Sequence, residues 1–347
     1  MSLLRPRSSV SFCKLLTFCQ GLFLTNNVTF IAINGLVGLS LAPLGWMATL
    51  PVMGYVVGGA LSTGLVATTQ KRLGRKTSFQ LGLAVALGSA LLCAWAAYTS
   101  QFWLLVGATL VAGYYNANAQ LYRFAAAELA LPGFKEKAIS LVMAGGLLGA
   151  VAGPNLAAYT RNLTSTPFAG AYLALAGVAL LAMLLLAFIR FPPVPLQTAH
   201  AGGRPLGLIM RQPAFIVAAA AGALGYGVMN LLMAATPIAM QVCGLPFSDT
   251  ALVLQWHVIG MFAPGFFTGH LIRRFGTLLV MGVGLGLNIL CVMVALSGVS
   301  LQEFLIALLL LGIGWNFLFT GATTLALTTY RPEEKDKAQG ALNFCIF

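Results

Sequence analysis

The chain has 347 residues, 59% of them hydrophobic and 7% charged, with a mean hydropathy of +0.91, whereas soluble domains run at about 45–50% apolar and about 25% charged. Nineteen basic and seven acidic side chains cannot clothe a chain of this size in water, which excludes an ordinary soluble enzyme and makes lipid the solvent. The net charge of +12 then asks which side of a membrane the basic residues face, not which nucleic acid they bind.

A hydrocarbon core about 30 Å thick takes roughly 20 apolar residues of helix, and ten runs of that length follow one another along the chain. The first, at 15–37, comes after the basic, acid-free lead MSLLRPRSSVSFCK. That lead has the charge of a targeting peptide, but the apolar run behind it is too long for a signal core. No small-residue cleavage site follows, so it is predicted to be a membrane helix with a cytoplasmic lead. The other nine runs lie at 44–68, 77–98, 102–126, 139–160, 168–190, 213–239, 249–271, 277–297 and 303–327. An eleventh begins near Ala338 and supplies about ten residues before Phe347, so the sequence reads as cut inside that span. Unbroken runs of this length do not fit the ~10-residue alternation of a membrane barrel. The 39 Gly and 15 Pro suit membrane helices, and the six cysteines, which show no CxxC spacing, read as small buried hydrophobes, not as a metal site or a disulfide framework.

The basic residues fall in alternate connections: Arg5, Arg7 and Lys14; Lys71, Arg72, Arg75 and Lys76; Lys135 and Lys137; Arg190, Arg204 and Arg211; Arg273 and Arg274; Arg331, Lys335 and Lys337. These are 17 of the 19. Arg123 lies near the same end of the fourth span, and Arg161 alone falls on the other side. The bias predicts a multi-pass protein of the cell (inner) membrane with its N-terminus in the cytoplasm.

Two connections repeat. Ala67-x-x-x-Lys71-Arg72-Leu73-Gly74-Arg75-Lys76 follows the second span, and Gly269-x-x-x-Arg273-Arg274-Phe275-Gly276 follows the eighth. Pro132-x-x-Lys135-Glu136-Lys137-Ala138 is matched by Pro332-x-x-Lys335-Asp336-Lys337-Ala338, and Asn116 by Asn316, each 200 positions on. The chain is therefore predicted to be two tandem halves: a six-helix bundle at 1–190, a cytoplasmic linker at 191–212, and a second bundle at 213–347 of four spans plus the start of a fifth. An even number of spans per half places both halves in the same orientation, the parallel arrangement of one large transporter class.

In these residues the chain resembles the major facilitator superfamily. The connection after the second span is similar to that family's G-x-x-x-D-R-x-G-R-K signature at Arg72, Gly74, Arg75 and Lys76, with Ala67 and Lys71 departing from it. Gly269, Arg274 and Gly276 fit the second copy. Gly149-x-x-x-Gly153-Pro154 in the fifth span resembles the core of the antiporter motif, with Ala157 and Ala158 in place of its Gly pair. Thr109 stands near the place of the signature Arg of the fourth span. The resemblance implies an all-α membrane protein of the twelve-helix transporter fold, ten spans of which are complete here. It also implies a central cavity lined by the first and fourth helices of each half.

The polar residues within spans sort onto those helices. The predicted substrate-cavity set is Asn27, Asn34, Tyr115, Asn116, Gln120, Asn230, His257, Trp315, Asn316 and Thr320. Asn116, Gln120 and Arg123 recur at i, i+4 and i+7 on one face, and Asn316, Thr320 and Thr323 repeat the spacing. Amides in hydrocarbon must hydrogen-bond or face water, so a binding wall and plain helix-to-helix bonding both remain open. The predicted gating and motif set is Arg72, Gly74, Arg75, Glu128, Gly149, Gly153, Pro154, Arg274 and Gly276, with Glu128 as partner of Arg72 or Arg75. Gly145, Gly149 and Gly153 form a small-residue stripe for close helix contact or for sliding, with a hinge at Pro154.

No acid lies in mid-span: Glu128, Glu136, Asp249, Glu303, Glu333, Glu334 and Asp336 are all in loops or at helix ends. His257, well inside the eighth span, is the one candidate for a proton-responsive group, against the plainer reading of a satisfied structural histidine. No cofactor, metal, nucleic acid or catalytic residue is expected, because His, Cys, Asp and Glu do not cluster and no phosphate loop is present. The expected function is secondary transport of a small, neutral, amphipathic or aromatic solute by alternating access, with export slightly favoured by the Gly149 motif and proton coupling left to His257. The lipid bilayer is the expected partner and a monomer the expected state. An importer of the same fold, or a transport-inactive receptor-like protein, remains the alternative.

Overall fold

A computed structural model of the chain describes residues 6–130, 135–191, 203–331 and 334–346. Arg5, Pro132, residues 192–202 of the 191–212 linker with His200, and Pro332 with Glu333 lie outside the described residues, as do the side chains of Arg7, Lys135, Glu136, Lys137, Lys335 and Asp336. The elements are helices throughout: α1 (Pro6–Leu41), a 3-10 turn (Gly45–Thr49), α2 (Leu50–Tyr98), α3 (Phe102–Ala119), α4 (Tyr122–Leu129), α5 (Lys135–Thr160), α6 (Ala169–Ala187), α7 (Leu206–Met210), α8 (Pro213–Val242), α9 (Phe247–Phe262), α10 (Gly265–Phe275), α11 (Thr277–Ser297), α12 (Leu301–Leu327) and α13 (Lys335–Ile346). No strand occurs among the described residues. With no water in hydrocarbon to bond an open backbone, helices are what such a sequence must form.

Local signals explain where helices start and bend. Pro51 sits in the first turn of α2, where its missing N–H costs nothing. Ser300 and Glu303 form a capping box at the start of α12. α2 is bent at Gly74, whose φ of 80° and ψ of 165° are rarely open to L side chains. A Cβ at Gly74 would meet nothing within 4 Å, so backbone conformation alone requires glycine there. Gly276, between α10 and α11, has φ 85° and ψ 154°. The two copies of the sequence motif thus share one backbone conformation.

Seven described helices are long and apolar enough to cross a membrane, and α9 with α10, bent by 43°, makes an eighth. The sequence reading has ten, and the difference lies in two places. α2 runs as one bent helix through what the sequence divides into spans at 44–68 and 77–98. α3, the core of the 102–126 span, carries Tyr114, Tyr115, Asn116 and Asn118 within 18 residues, which lowers its hydropathy.

The chain forms two compact units, one of Met1–Val194 with Pro237–Gln255 and one of Pro195–Thr236 with Trp256–Phe347. In the first, α2 packs on α3 and α5 on α1, and the approach is close enough to need glycine. A Cβ on Gly113 would lie 2.2 Å from the Gly58 carbonyl carbon, and one on Gly149 would lie 2.5 Å from Leu24 Cβ. Its apolar core joins Phe30, Ile33, Tyr55, Leu105, Phe168, Tyr172, Leu175 and Phe247. In the second, Ile209, Phe215, Met281, Leu318, Ala322, Leu342 and Ile346 form the core.

Candidate functional site

The first unit holds the signature connection. Past the Gly74 bend, Arg75 grips Glu128 of α4 with two parallel bonds: Nε donates to Oε2 at 2.6 Å and Nη2 to Oε1. Arg75 Nη1 also donates to Gln70 Oε1 at 2.8 Å. From there a polar network enters the helix pair. Gln70 Nε2 and Ser78 Oγ both donate to Asn118 Oδ1, at 3.4 and 3.1 Å, and the Thr69 hydroxyl lies 2.8 Å from the Tyr114 hydroxyl and 3.1 Å from Ser78 Oγ. Lys76 Nζ donates to the Ala187 carbonyl at the end of α6 at 2.6 Å. Of the two partners the sequence allowed for Glu128, the structure selects Arg75; Arg72 is exposed. The bidentate fork fixes geometry, but Glu128 is 40% exposed, so the pair is worth no more than about 1 kcal/mol.

Deeper in the same unit the amides divide. Asn34 is fully buried; its Nδ2 donates to the Phe30 carbonyl at 2.7 Å, and its Oδ1 accepts from the Tyr172 hydroxyl at 2.7 Å. Phe30 lies between Tyr55 and Tyr172, with ring centroids 4.9 and 6.3 Å away. Asn27, half-buried, donates to the Tyr55 hydroxyl at 3.2 Å. Tyr115 packs edge-on against Phe23 at 5.5 Å. Asn116 is buried with its Oδ1 unpartnered, Gln120 is half-buried, and the Nε of Arg123 is buried without an acceptor. The residues predicted on one face at i, i+4 and i+7 are divided between α3 (Asn116, with Gln120 at its C-cap) and α4 (Arg123), and two of their polar atoms are left unsatisfied by the described residues. Gly145, Gly149 and Gly153 all press on α1, and Thr29 Oγ1 donates to the Gly153 carbonyl at 2.8 Å. The stripe and Pro154 thus lie at a packed contact inside this unit.

In the second unit Asn316 is saturated: Nδ2 donates to the Met261 carbonyl, and Oδ1 accepts from the Thr268 hydroxyl, both at 2.7 Å. Asn230 donates to its own helix at Tyr226, 3.0 Å away. Trp315 stacks on Phe319 with centroids 4.8 Å apart and planes 17° apart, and its Nε1 is buried without an acceptor. His257 is fully buried with Nδ1 2.8 Å from the Leu308 carbonyl oxygen. Because a carbonyl can only accept, Nδ1 carries the proton, and Nε2 faces apolar surroundings unpaired. Thr320 is half-buried, and Arg274 is exposed over the Phe275 ring.

The same unit contains an ion pair that the sequence reading did not anticipate. Glu334, with no side-chain exposure, accepts from Arg204 Nη2 at 2.7 Å, Arg204 Nε at 3.0 Å, the Arg204 backbone N–H at 2.6 Å and the Arg331 backbone N–H at 3.0 Å. The Arg204 side chain and these N–H groups hold its carboxyl well below the usual carboxylate range. Gly203, at φ +110°, makes room for it; a Cβ there would sit 2.7 Å from Glu334 Cγ. No group of three His, Cys, Asp or Glu that could hold a metal occurs among the described residues.

Comparisons with known proteins give one answer. The family model described as Major Facilitator Superfamily matches residues 15–347. The riboflavin transporter RfnT of Brucella anthropi is 40% identical over 336 residues, 96% of this chain and 84% of that protein. Among solved structures, a bacterial homolog of the human lysosomal transporter Spinster superposes with a TM-score of 0.70 at 16% identity, covering 99% of this chain and 80% of that one. The nucleoside transporter NupG does so with 0.71 at 13% identity, covering 97% and 87%.

Proposed function

The chain belongs to the major facilitator superfamily, and from that premise we propose that it carries a small, uncharged, planar heterocyclic solute of the flavin type across the cell membrane by alternating access. The observation that carries the reading is the 40% identity, over nearly the whole chain, to a protein named as a riboflavin transporter. The chemistry of the spans supports it. Riboflavin is uncharged at neutral pH, with a flat ring system, carbonyl and N–H groups on one edge and a hydroxylated tail. In the first unit the buried Tyr115 ring suits the flat ring. In the same unit the Asn116 Oδ1, which has no partner among the described residues, offers an acceptor to an N–H edge. Both amide atoms of Asn34 and of Asn316 already have protein partners, and their part in this reading is to hold helices in place.

The halves 1–190 and 213–347 form a twelve-helix plan with ten complete spans, the N-terminus faces the cytoplasm, and the protein works as a monomer. With no carboxylate in mid-span and His257 bonded to Leu308, transport runs without proton coupling. The Gly149–Pro154 motif is the feature that leans toward export.

Purified protein in liposomes loaded with unlabelled riboflavin takes up external labelled riboflavin by counterflow, with no imposed pH gradient. Labelled glucose is not taken up. Folded protein that exchanges no riboflavin above empty liposomes overturns the substrate; exchange that appears only under a proton gradient overturns the uncoupled mechanism.

A further inference from the structure

Arg161 is the single basic residue on the far side of the charge map, and the positive-inside bias makes an arginine there an exception that needs a cause. The structure supplies one inside the first unit. Its guanidinium carbon lies 5.0 Å from the Phe168 ring centroid and 5.3 Å from that of Phe247. The two rings meet edge to face with centroids 5.4 Å apart. Both Phe side chains are buried, and the Nε of Arg161 is buried with no hydrogen-bond acceptor among the described residues, so aromatic faces take the place that a carboxylate would hold.

The backbone is set for this contact. Phe168 is a non-glycine residue with φ +65°, a conformation that costs roughly 1 kcal/mol or more. Its N–H donates to the Arg161 carbonyl at 2.8 Å, closing the loop so that side chains 161 and 168 meet. Six residues before Arg161, directly after Pro154 in α5, Asn155 Nδ2 donates to Gln255 Oε1 at 3.0 Å. Phe247 and Gln255 lie in Pro237–Gln255, the stretch that joins the first unit while the chain on either side of it belongs to the second.

We propose that Arg161, held between the rings of Phe168 and Phe247, is the latch of an outer gate that keeps Pro237–Gln255 on the first unit and must let go in each transport cycle. This rests on the topology given under the proposed function, which places Arg161 on the outer side. A cation held by two rings is a closure suited to a carrier of uncharged solute. Desolvation strengthens it, it needs no titratable partner, and releasing it exposes rings and a guanidinium that water readily solvates.

Ala157, with no exposure and in the same core as Phe168 and Phe247, reports opening. In a background with the six native cysteines replaced, Ala157→Cys is treated with a membrane-impermeant maleimide from outside. Added Arg161→Met speeds labelling about tenfold, the ratio that corresponds to about 1.4 kcal/mol. Arg161→Lys, which keeps the cation, stays within about threefold of the parent. Gel-filtration profiles and membrane yield control for folding. Equal labelling of Arg161→Met and its parent overturns the latch, and so does Arg161→Lys labelling as fast as Arg161→Met. If labelling follows residue 161 but occurs only from the cytoplasmic face, the latch stands and the topology fails.

Discussion

Gly149→Ala tests whether the small-residue stripe of α5 is a fixed contact. A Cβ at 149 would lie 2.5 Å from Leu24 Cβ, 2.7 Å from the Thr25 nitrogen and 2.8 Å from the Leu24 carbonyl carbon. Two of the three are backbone atoms that no rotamer change can move, so α5 must back away from α1 by about 1 Å to restore ordinary contact distances. Overpacking of this kind costs about 1–3 kcal/mol. Gly177, inside α6, is the matched control, because a Cβ there would meet nothing within 4 Å. There the same substitution removes only glycine's entropic cost in a helix and stabilises by about 0.5–1 kcal/mol. The two variants should therefore melt apart, Gly149→Ala below the parent by several degrees and Gly177→Ala at or slightly above it, when detergent-solubilised protein is heated and the surviving monomer is read by gel filtration. Reconstituted Gly149→Ala should also lose most counterflow while inserting normally. Gly149→Ala melting level with Gly177→Ala would refute the close packing of α5 on α1 from which the cost was worked.

Tyr172→Phe removes the donor to Asn34 Oδ1 and leaves that buried acceptor unpaired, a loss of about 1–3 kcal/mol; a double-mutant cycle with Asn34→Leu should show coupling, and additive melting shifts would argue against the bond. Exchanging the charges of Arg75 and Glu128 should restore much of the counterflow lost in Glu128→Arg alone, and the absence of any rescue would remove the pair from the cycle. The Glu334 carboxyl is depressed in the fold, so its contribution is complete above the unfolded value of about 4.3 and is lost as pH falls toward the lower folded value. Parent protein should therefore lose thermal stability below about pH 4 in a way that Glu334→Gln does not, and parallel melting curves for the two would contradict the assignment. Arg123→Met removes a cation whose buried Nε has no acceptor among the described residues, and should raise the melting temperature while lowering flavin affinity; a fall in both would make Arg123 a structural residue.

What the sequence made legible was whatever the bilayer dictates. The all-helical architecture and the motif glycines follow from hydropathy and from a backbone angle that L residues avoid, and Gly74 and Gly276 adopt that angle 202 positions apart, whereas hydropathy reads ten spans where the described helices give seven or eight. The site was harder, because polarity inside a span states a need without naming its partner. Asn116 and Asn316 are equivalent by repeat, yet one keeps an unpaired oxygen while the other is saturated by Met261 and Thr268, residues 55 and 48 positions away. Asn34 looked like a cavity residue until Tyr172, 138 positions on, proved to hold its oxygen. Arg204 and Glu334 stand 130 positions apart, and nothing local marks either as half of a buried pair. Arg161 is the instructive contrast. The charge map singled it out as the one basic residue on the far side. The structure shows its partner to be two aromatic rings, one from the adjoining loop and one about 80 residues further along. Where a residue breaks a rule that the rest of the chain obeys, the sequence can point to the site, and only the fold can name what satisfies it.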